Sequence, residues 1–312
     1  MIPGIFFLVL LVGCATPQTR QLLASAATFP PSVELATVPF FPQEEYQCGP
    51  AALATVLNYA GLSVTPDELV PQVYLPKRQG SLQFELLAAT RRHGRVPYPL
   101  RPQLSALISE VAAGNPVLVL QNLGLDIFPV WHYAVVVGFD LERAEVVLRS
   151  GTEPRRLTTL QTFERTWARG NYWAVVITLP GNLPQTAEEQ PYLEAVLPLE
   201  KLQQWPAVAT AYATALTRWP RSLGGQMGLG NSRYALNDLP AAETAFRRAT
   251  IDHPQAAEGF NNLAQTLADQ ARWEEAEQIA QQAVAMGGKN AAIFAQTLEQ
   301  IRKARLSPHP AQ

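Results

Sequence analysis

Cysteine and charge are both scarce in this chain of 312 residues. Cys14 and Cys48 are its only cysteines, so the one disulfide it could form would join them. Charged residues make up 16% of the chain, the formal net charge is −2 and the basic residues are dispersed, which gives no electrostatic basis for binding nucleic acid. Hydrophobic residues make up 47%, and a chain of this length can bury more than one core, so we expect two domains.

The N-terminal apolar run, residues 2–12, is shorter than the roughly 20 residues that a membrane-spanning helix needs. It ends in small residues, as a secretory signal does. Residues 11–14 resemble the bacterial lipobox, which implies removal of residues 1–13 and attachment of diacylglycerol to Cys14, although no Lys or Arg precedes the run. A plain cleaved signal is the alternative. We expect a bacterial membrane lipoprotein that faces the periplasm, with the choice between inner and outer membrane open.

The state of Cys14 decides what is expected of Cys48. If Cys14 is not lipidated, a disulfide between the two is the simplest expectation for an exported chain. If Cys14 is lipidated, Cys48 is a lone free thiol in an oxidising compartment, which favours a chemical role. Residues 14–36, rich in Ser, Thr, Ala, Gln and Pro, are predicted to be a tether from the membrane to the first domain.

Cys48 stands where an irregular segment turns into a helix. Gly49 allows close backbone approach, Pro50 suits a first helical turn, and an Ala- and Leu-rich run follows over residues 51–57. The sulfur is therefore predicted to face a helix N-terminus, whose N–H groups and dipole favour thiolate over thiol. A small buried cysteine under a helix start is the alternative.

One histidine of four, His132, opens a β-branched and aromatic run of strand length, residues 131–139. His93, His253 and His309 lie instead in polar or proline-flanked segments. A hydrogen-bonded core histidine is the alternative for His132. A cysteine at a helix start with a histidine on a later strand nevertheless outlines a nucleophile and its base.

The order of Gln43, then residues 48–53, then residues 132–138 resembles the papain-fold cysteine peptidases related to the bacteriocin leader-processing, or double-glycine, peptidases. The resemblance covers about residues 35–180 and implies an α+β papain-like fold. It implies that Cys48 attacks a peptide carbonyl, that His132 is the base, and that Gln43 donates a side-chain N–H to the oxyanion hole. Gln47 is a weaker rival for that last role. Neither a cofactor nor a metal ion is implied.

The third member of the site departs from the family, which normally places an Asp or Asn on the strand after the histidine to orient the imidazole. Asp140 lies on the histidine's own strand, roughly 26 Å away at about 3.3 Å per residue, so it cannot touch the ring. A hairpin that pairs Phe139 with Glu145 places Ser150 on the face of His132. Ser150 is therefore predicted to accept the Nδ1 hydrogen bond, unless a bulge changes the register. A hydroxyl lacks the charge that stabilises an imidazolium, so weaker catalysis is expected.

Helices are predicted to precede the sheet in the first domain, which places nucleophile and base on two halves of a cleft. The predicted helices cover residues 48–61 and 101–113 and begin near residues 65 and 80; the predicted strands are 117–121, 132–139, 145–149, 155–159 and 172–179. The composition changes to that of a linker over residues 181–191. These boundaries give a papain-like peptidase domain over residues 37–180.

The chain beyond the linker repeats at a fixed interval, as Tyr212, Ala215 and Pro220 match Phe246, Ala249 and Pro254. This pattern resembles tetratricopeptide repeats, in which a small residue and an aromatic interdigitate along a seam. We expect an all-α solenoid over residues 192–305, with an ordinary Ala-rich helical bundle as the alternative. It would contain a partial repeat (192–220), two full repeats (221–288) and a capping helix (291–305), and a tail (306–312) would follow it. Candidates to line a concave partner-binding face are Asn231, Asn261, Asn262 and Gln265.

Three functions fit this sequence. The first is an exported, lipid-anchored cysteine peptidase whose repeats recruit a protein partner or the substrate. The second is a scaffold in which the peptidase domain has lost efficient chemistry, which the absent acid favours. The third is another acyl or amide transfer by the same Cys48 and His132 pair, and the sequence does not separate it from the first.

Overall fold

The computed structural model describes residues 16–43 and 47–306, so the predicted signal peptide, Cys14 and residues 307–312 lie outside the described residues. The chain divides into two compact units. The first comprises the described residues of Met1–Leu86 together with Pro99–Val176. The second comprises Leu87–Tyr98 together with the described residues of Ile177–Gln312.

Helices and strands alternate through the first half of the chain. The helices are α1 (Pro17–Ala24), α2 (Cys48–Tyr59), α3 (Pro66–Val73), α4 (Gln83–Arg92), α5 (Leu104–Ala112) and α6 (Leu160–Arg169). The strands are β1 (Ser32–Glu34), β2 (Tyr74–Leu75), β3 (Gly80–Ser81), β4 (Val96–Pro99), β5 (Val117–Asn122), β6 (Trp131–Asp140), β7 (Glu145–Ser150), β8 (Glu153–Thr159) and β9 (Ala174–Thr178). Two short 3₁₀ turns lie at Ala26–Thr28 and Pro76–Arg78.

An antiparallel sheet forms the centre of the first unit. Strands β9, β5, β6, β7 and β8 lie side by side in that order, and β1 pairs with the far end of β6. Helices α2, α5 and α6 pack against this sheet. Residues 49–57 of α2 are all buried, because the run is apolar around its whole circumference and such a helix belongs inside a core.

The pairing of β6 with β7 contains a bulge. At the turn Asp140 lies opposite Glu145, whereas beyond the bulge Val135 lies opposite Arg149. The pairing predicted for Phe139 with Glu145 is therefore wrong by one residue. The extra residue in β6 cancels that error toward the beginning of the strand, so the predicted register holds where the site lies.

Residues 16–36 fold onto the first unit, so the predicted tether is wrong for them. The backbone N–H groups of Gln18 and Thr19, in the first turn of α1, donate to the buried Glu164 carboxylate at 3.0 and 2.6 Å. Leu22 on the same helix is buried, and the chain then continues into β1. A polar composition signalled a linker, but a buried acceptor for the first-turn N–H groups stabilises a helix there.

Most predicted elements are present, with shifted ends. Thr65 caps α3 in a reciprocal capping box with Glu68, as the Thr-cap pattern predicted. The helix predicted from residue 80 begins only at Gln83, because Gly80 and Ser81 form strand β3. Strands β1 to β4, and helices α1 and α6, were not predicted. Those four strands are short, and α6 is recognisable only by its amphipathic pattern and its Thr159 cap.

Seven helices form the second unit between positions 188 and 306. They are α7 (Glu189–Lys201), α8 (Trp205–Arg218), α9 (Leu223–Ala235), α10 (Leu239–Asp252), α11 (Ala257–Asp269), α12 (Trp273–Met286) and α13 (Ala291–Leu306). Helix α7 begins inside the segment predicted as a linker, so that prediction holds only to position 188. It pairs with α8, so the predicted partial repeat is a complete helix pair.

The repeat is present in the backbone as well as in the sequence. Helices α7, α9, α11 and α13 begin at equal intervals along the chain, and α8, α10 and α12 begin at that same interval. The turn inside each pair contains a left-handed residue at the equivalent position, namely Gln203, Asn237 and Ala271. At the seam, a Cβ added to Gly230 would lie 2.3 Å from the ring of Phe246, which confirms the predicted interdigitation of a small residue and an aromatic.

The four polar candidates for the concave face form short side-chain contacts. Asn262 donates to Asn231 of the preceding repeat at 3.0 Å, and Asn261 donates to Asn262 at 3.3 Å. Gln265 donates to Asp269 one turn further on at 3.0 Å. Their role in partner binding stays a prediction. Across residues 16–43 and 47–306, no helix is both long and apolar enough to cross a bilayer.

Removal of the Glu164 carboxylate tests whether residues 16–36 are part of the folded unit. We expect Glu164→Ala to lower the free energy of unfolding by about 1–3 kcal/mol, because two N–H groups lose their buried acceptor. Limited proteolysis is expected to cut faster within residues 16–31. Glu164→Gln keeps an acceptor oxygen and should restore most of the resistance. Arg165→Ala, on the exposed side of α6, is the matched control, and equal cleavage in all four proteins would contradict the docking of α1.

Candidate active site

Cys48 is the first residue of α2, with Gln47 at the cap position. The predicted helix start is therefore confirmed. The thiol is free and half-buried. The side chain of Gln47 makes no capping hydrogen bond. The backbone N–H groups of Cys48 and Gly49, in the first turn, lie within hydrogen-bond reach of the sulfur.

Close packing around Gly49 fixes the beginning of α2. A Cβ at this position would lie 2.3 Å from Oγ and 2.6 Å from Cβ of Ser81, so only glycine permits this approach. Tyr133 closes the same side, since its hydroxyl donates to the carbonyl of Ser81 at 3.2 Å. Its ring also contacts Trp173 edge to face, with centroids 5.8 Å apart. Strand β6 is thereby held against the cysteine end of α2.

His132 lies beside Tyr133 on β6 and is half-buried. Its Nε2 is 2.8 Å from Oγ of Ser150, which is buried on β7. Beyond the bulge Val135 lies opposite Arg149, so Ser150, the next residue, is on the same face of the sheet as His132. The two side chains are diagonal neighbours, a separation that an imidazole ring can span. The predicted partnership is therefore present in the geometry.

The nitrogen that Ser150 engages differs from the prediction, which had the hydroxyl on Nδ1. The contact is made by Nε2. When Nε2–H donates to the serine oxygen, the tautomer is fixed and Nδ1 keeps its lone pair for accepting a proton. Ser150 therefore has the geometry of a positioning residue for the base.

Electrostatics at the cysteine run against the prediction of a preformed thiolate. Burial raises the pKa of the Cys48 thiol above its ordinary value. The backbone N–H groups of Tyr133, Gly49 and Cys48 itself lower that pKa, but less than burial raises it. The helix start favours the thiolate as expected, yet the loss of water around the sulfur is the larger effect.

The pKa of the histidine shifts in the opposite direction, downward. Burial, with a smaller contribution from positively charged Arg156, lowers the pKa of His132 to about 4. Asp140 plays no part, because it lies at the far end of β6 and accepts from the backbone of Arg143. At neutral pH the resting pair is therefore a thiol and a neutral imidazole, and Ser150 brings no charge that would reverse this.

Gln43 is held beside the same strand. Its backbone N–H donates to the carbonyl of Gly151 at 3.0 Å, and its side-chain Nε2 donates to the carbonyl of Tyr133 at 3.3 Å. An amide nitrogen has two hydrogens, so one N–H remains after the bond to Tyr133. Gln47, the weaker rival, does not line the groove described next.

A groove of about 930 Å³ contains Gln43, Cys48 and His132 in its wall. The rest of the wall comes from residues 78–83, 129–133 and 170–171, with Leu120 and Gly151. This volume is the size of a binding cleft rather than a packing defect. The predicted cleft between nucleophile and base is therefore present in the first unit.

Two parts of the groove wall were not predicted. Residues 78–83 include the left-handed residue Gln79 and line the same groove as Cys48, and Gly170 with Asn171 follows α6. Gly170 approaches the backbone of Leu120 so closely that a Cβ would lie 2.2 Å from its carbonyl oxygen. Gly170 was the available signal for its part of the wall, because an isolated glycine marks close backbone approach. Among the described residues, no group of three or more His, Cys, Asp or Glu side chains could hold a metal ion.

Two family models match the chain. Residues 35–175 match the model described as "Peptidase_C39 like family", and residues 227–291 match a tetratricopeptide repeat model. The chain therefore contains a C39-like peptidase domain, and a tetratricopeptide repeat region follows it. The predicted α+β peptidase fold and all-α repeat fold are confirmed. No curated protein matches this chain.

Several solved structures are similar to parts of the chain. A C39-like peptidase from Bacillus anthracis is 20% identical over 49% of this chain and 99% of its own, with a TM-score of 0.41. A double glycine motif protease from an AMS/PCAT transporter, in complex with the leader peptide, is 21% identical over 46% and 91%, with a TM-score of 0.35. The first tetratricopeptide repeat domain of Spaghetti, bound to an HSP90 peptide, is 13% identical over 38% and 94%, with a TM-score of 0.36.

Alkylation of the thiol as a function of pH tests the neutral pair. Since burial raises the pKa of Cys48 and lowers that of His132 to about 4, we expect iodoacetamide to react ever faster with rising pH, with no acidic plateau. Cys48→Ala gives the background. A plateau of reactive thiolate between about pH 5 and 7 is the signature of a thiolate–imidazolium pair and would contradict the neutral resting state.

Proposed function

We propose that the protein is an exported, lipid-anchored cysteine peptidase whose repeat domain recruits a protein partner or the substrate. One observation carries the proposal. The cysteine at a helix start, a histidine with one nitrogen fixed by Ser150, and a glutamine amide with a spare N–H lie in the wall of a single groove. The match of residues 35–175 to a peptidase family supports the same chemistry.

The first step joins proton transfer to attack. Nδ1 of His132 takes the proton from the Cys48 thiol, and the sulfur forms a bond to the carbonyl carbon of a peptide in the groove. Because the resting pair is neutral, the proton moves as the sulfur attacks rather than beforehand. Ser150 holds the ring while it carries the proton, but a hydroxyl stabilises the imidazolium less than a carboxylate does. A slow enzyme is the expected consequence.

Negative charge that develops on the carbonyl oxygen needs donors already in place. Gln43 supplies the N–H that remains after its bond to Tyr133, and the backbone N–H of Cys48 supplies a second. The bond from Nε2 to the Tyr133 carbonyl stops the amide from rotating, so the remaining hydrogen keeps one direction. Such preorganisation is what makes an oxyanion hole effective.

Collapse of the tetrahedral intermediate breaks the carbon–nitrogen bond, and the imidazolium of His132 returns its proton to the leaving amine. Water then attacks the thioester, with the same imidazole as base, and the sulfur leaves and regains a proton. Atoms and charges balance with water as the only co-reactant, so the chain's own residues suffice for hydrolysis.

The location and the partner are part of the proposal. Cys14, in the lipobox-like segment, would hold the protein at a bacterial membrane on the periplasmic side. The three helix pairs with α13 form a stack long enough to present a continuous surface to a protein or peptide. Because the repeats and the groove belong to one chain, binding to the repeats raises the local concentration of a captured peptide at the groove.

Labelling with a peptide-like electrophile tests this function. We expect the unmutated protein to become labelled at Cys48 near pH 7, and His132→Ala to lose the labelling because no base takes the thiol proton as the sulfur attacks. Ser150→Ala should label roughly 10-fold or more slowly, since the base is no longer oriented. Ser150→Asp should equal or exceed the unmutated protein, because a carboxylate raises the pKa of the imidazole.

The control for this labelling experiment is a serine variant far from the groove, and the rate of the histidine variant tests the proposed pair. Ser109→Ala removes an exposed hydroxyl from α5 and should label at the unmutated rate. Equal labelling of His132→Ala and the unmutated protein would remove the activated pair and leave a membrane-bound docking platform. If Ser150→Ala matches Ser109→Ala, the hydroxyl does not orient the base.

A further inference from the structure

The loop between β5 and β6 presents apolar side chains to solvent. We call residues 123–131 the apolar tip; its large exposed apolar residues are Leu123, Leu125, Ile127, Phe128, Val130 and Trp131. At its outermost turn Leu125 is 63% exposed, Ile127 76% and Phe128 75%. Asp126 is the one charged residue in the segment. An apolar cluster of this kind marks a site of interaction rather than ordinary surface.

Hydrogen bonds inside the loop hold these side chains outward. Oδ1 of the buried Asn122 accepts from the N–H groups of Gly124 and Val130 at 3.0 and 2.9 Å. The backbones of Leu123 and Val130 pair at 2.8 Å, and Phe128 N–H donates to Leu125 at 3.1 Å. A Cβ on Gly124 would lie 2.3 Å from the carbonyl oxygen of Phe128, so the turn is tightly closed. The tip is therefore a preformed hairpin, and its binding costs little additional conformational entropy.

The outermost residues do not belong to the groove. Residues 129–131, at the base of the tip, line the groove wall, whereas Leu125, Ile127 and Phe128 do not. A peptide that occupies the groove would therefore leave the outermost turn uncovered. Another occupant is needed to explain why three large apolar side chains are held in water.

A short stretch of chain joins the predicted lipid anchor to α1, which packs on the same helix as the base of the tip. Helix α1 is folded onto the first unit, and the described chain begins at Thr16, two positions after Cys14. Two residue steps can reach at most about 7 Å. Helix α6 connects the two features. Its Glu164 receives the first turn of α1, and its Arg169 donates to the carbonyl of Asn122 at the base of the tip. These two α6 residues are five positions apart, which is roughly 7.5 Å along the helix axis and about 140° around it.

We propose that the apolar tip inserts into the interfacial layer of the phospholipid bilayer to which Cys14 is attached, so that the groove opens beside the membrane surface. The proposal deepens the proposed function and rests on its lipid anchor. Phe128, Ile127 and Trp131 are residue types that settle at that layer. Peptides emerging from, or lying on, the membrane would then be the substrates that reach Cys48.

A protein occupant fits the tip less well. The three outermost side chains by themselves, at no more than about 250 Å² each, supply less than the roughly 800 Å² that each partner of a stable protein interface buries. A bilayer does not need a surface of complementary shape, and the proposed lipid anchor at Cys14 would already hold the protein at one. The observations therefore favour lipid, and a protein occupant becomes an outcome of the test.

A fluorescent dye on the tip tests insertion in the full chain. Ile127→Cys is labelled with an environment-sensitive dye in a Cys48→Ala background, and the protein is placed on vesicles of phosphatidylethanolamine and phosphatidylglycerol. Ile251→Cys in the same background is the matched control, because Ile251 is 70% exposed and lies on α10 of the second unit. We expect the dye at position 127 to emit at shorter wavelength and to lose most of its emission when the lipids carry nitroxide on their acyl chains. The dye at position 251 should do neither.

The possible results distinguish a failure of tip insertion from a failure of peptidase activity or of lipidation at Cys14. If the dyes at positions 127 and 251 show the same emission wavelength and the same quenching, the tip does not insert. If the dye at position 127 is shielded from iodide but is not quenched by nitroxide lipid, a protein covers the tip, and the proposal is again overturned. Peptidase activity does not enter, since Cys48 is replaced in every protein. The Cys48→Ala parent takes up dye only if the Cys14 thiol is free, which would refute lipidation. The pair is then repeated with Cys14→Ser and judged by the same quenching.

Discussion

A single bulge in strand β6 sets the geometry on which the site depends. Side chains on a strand alternate between faces, so a register error of one residue would move His132 or Ser150 to the opposite side of the sheet. The pairing of Asp140 with Glu145 at the turn would separate them, and the inserted residue restores their common face. The hydrogen bond from Nε2 of His132 to Ser150 is thus a consequence of backbone register.

Burial, rather than a charged neighbour, determines the protonation states of Cys48 and His132. The same loss of water raises the pKa of the Cys48 thiol and lowers that of His132, so both groups rest in their neutral forms. A carboxylate in place of Ser150 would pull the pair toward thiolate and imidazolium. In the proposed reaction, a hydroxyl there leaves more of the transition-state stabilisation to the donors of Gln43 and of the start of α2.

Much of this arrangement was readable from sequence, and the exceptions have physical causes. Local signals placed Cys48 at a helix start and His132 on a strand, and the regular spacing of small and aromatic residues indicated the helix pairs of the second unit. The tether was wrong because the stability of α1 comes from Glu164, a partner 145 residues away from Thr19 that no local pattern reveals. Choice of the Nε2 nitrogen and the net pKa of Cys48 likewise depend on burial and ring orientation, which exist only after folding.

The central claim is that Cys48, His132 and Gln43 act on one carbonyl across the groove. The most direct measurement is a crystal structure of the protein with a peptide aldehyde, which forms a hemithioacetal with an active cysteine. We expect the new carbon–sulfur bond at Cys48, its oxygen within hydrogen-bond distance of Gln43 Nε2, and Nδ1 of His132 facing the sulfur while Nε2 keeps Ser150. An unmodified Cys48, or an adduct whose oxygen points away from Gln43 with the His132 ring turned from the sulfur, would contradict the account.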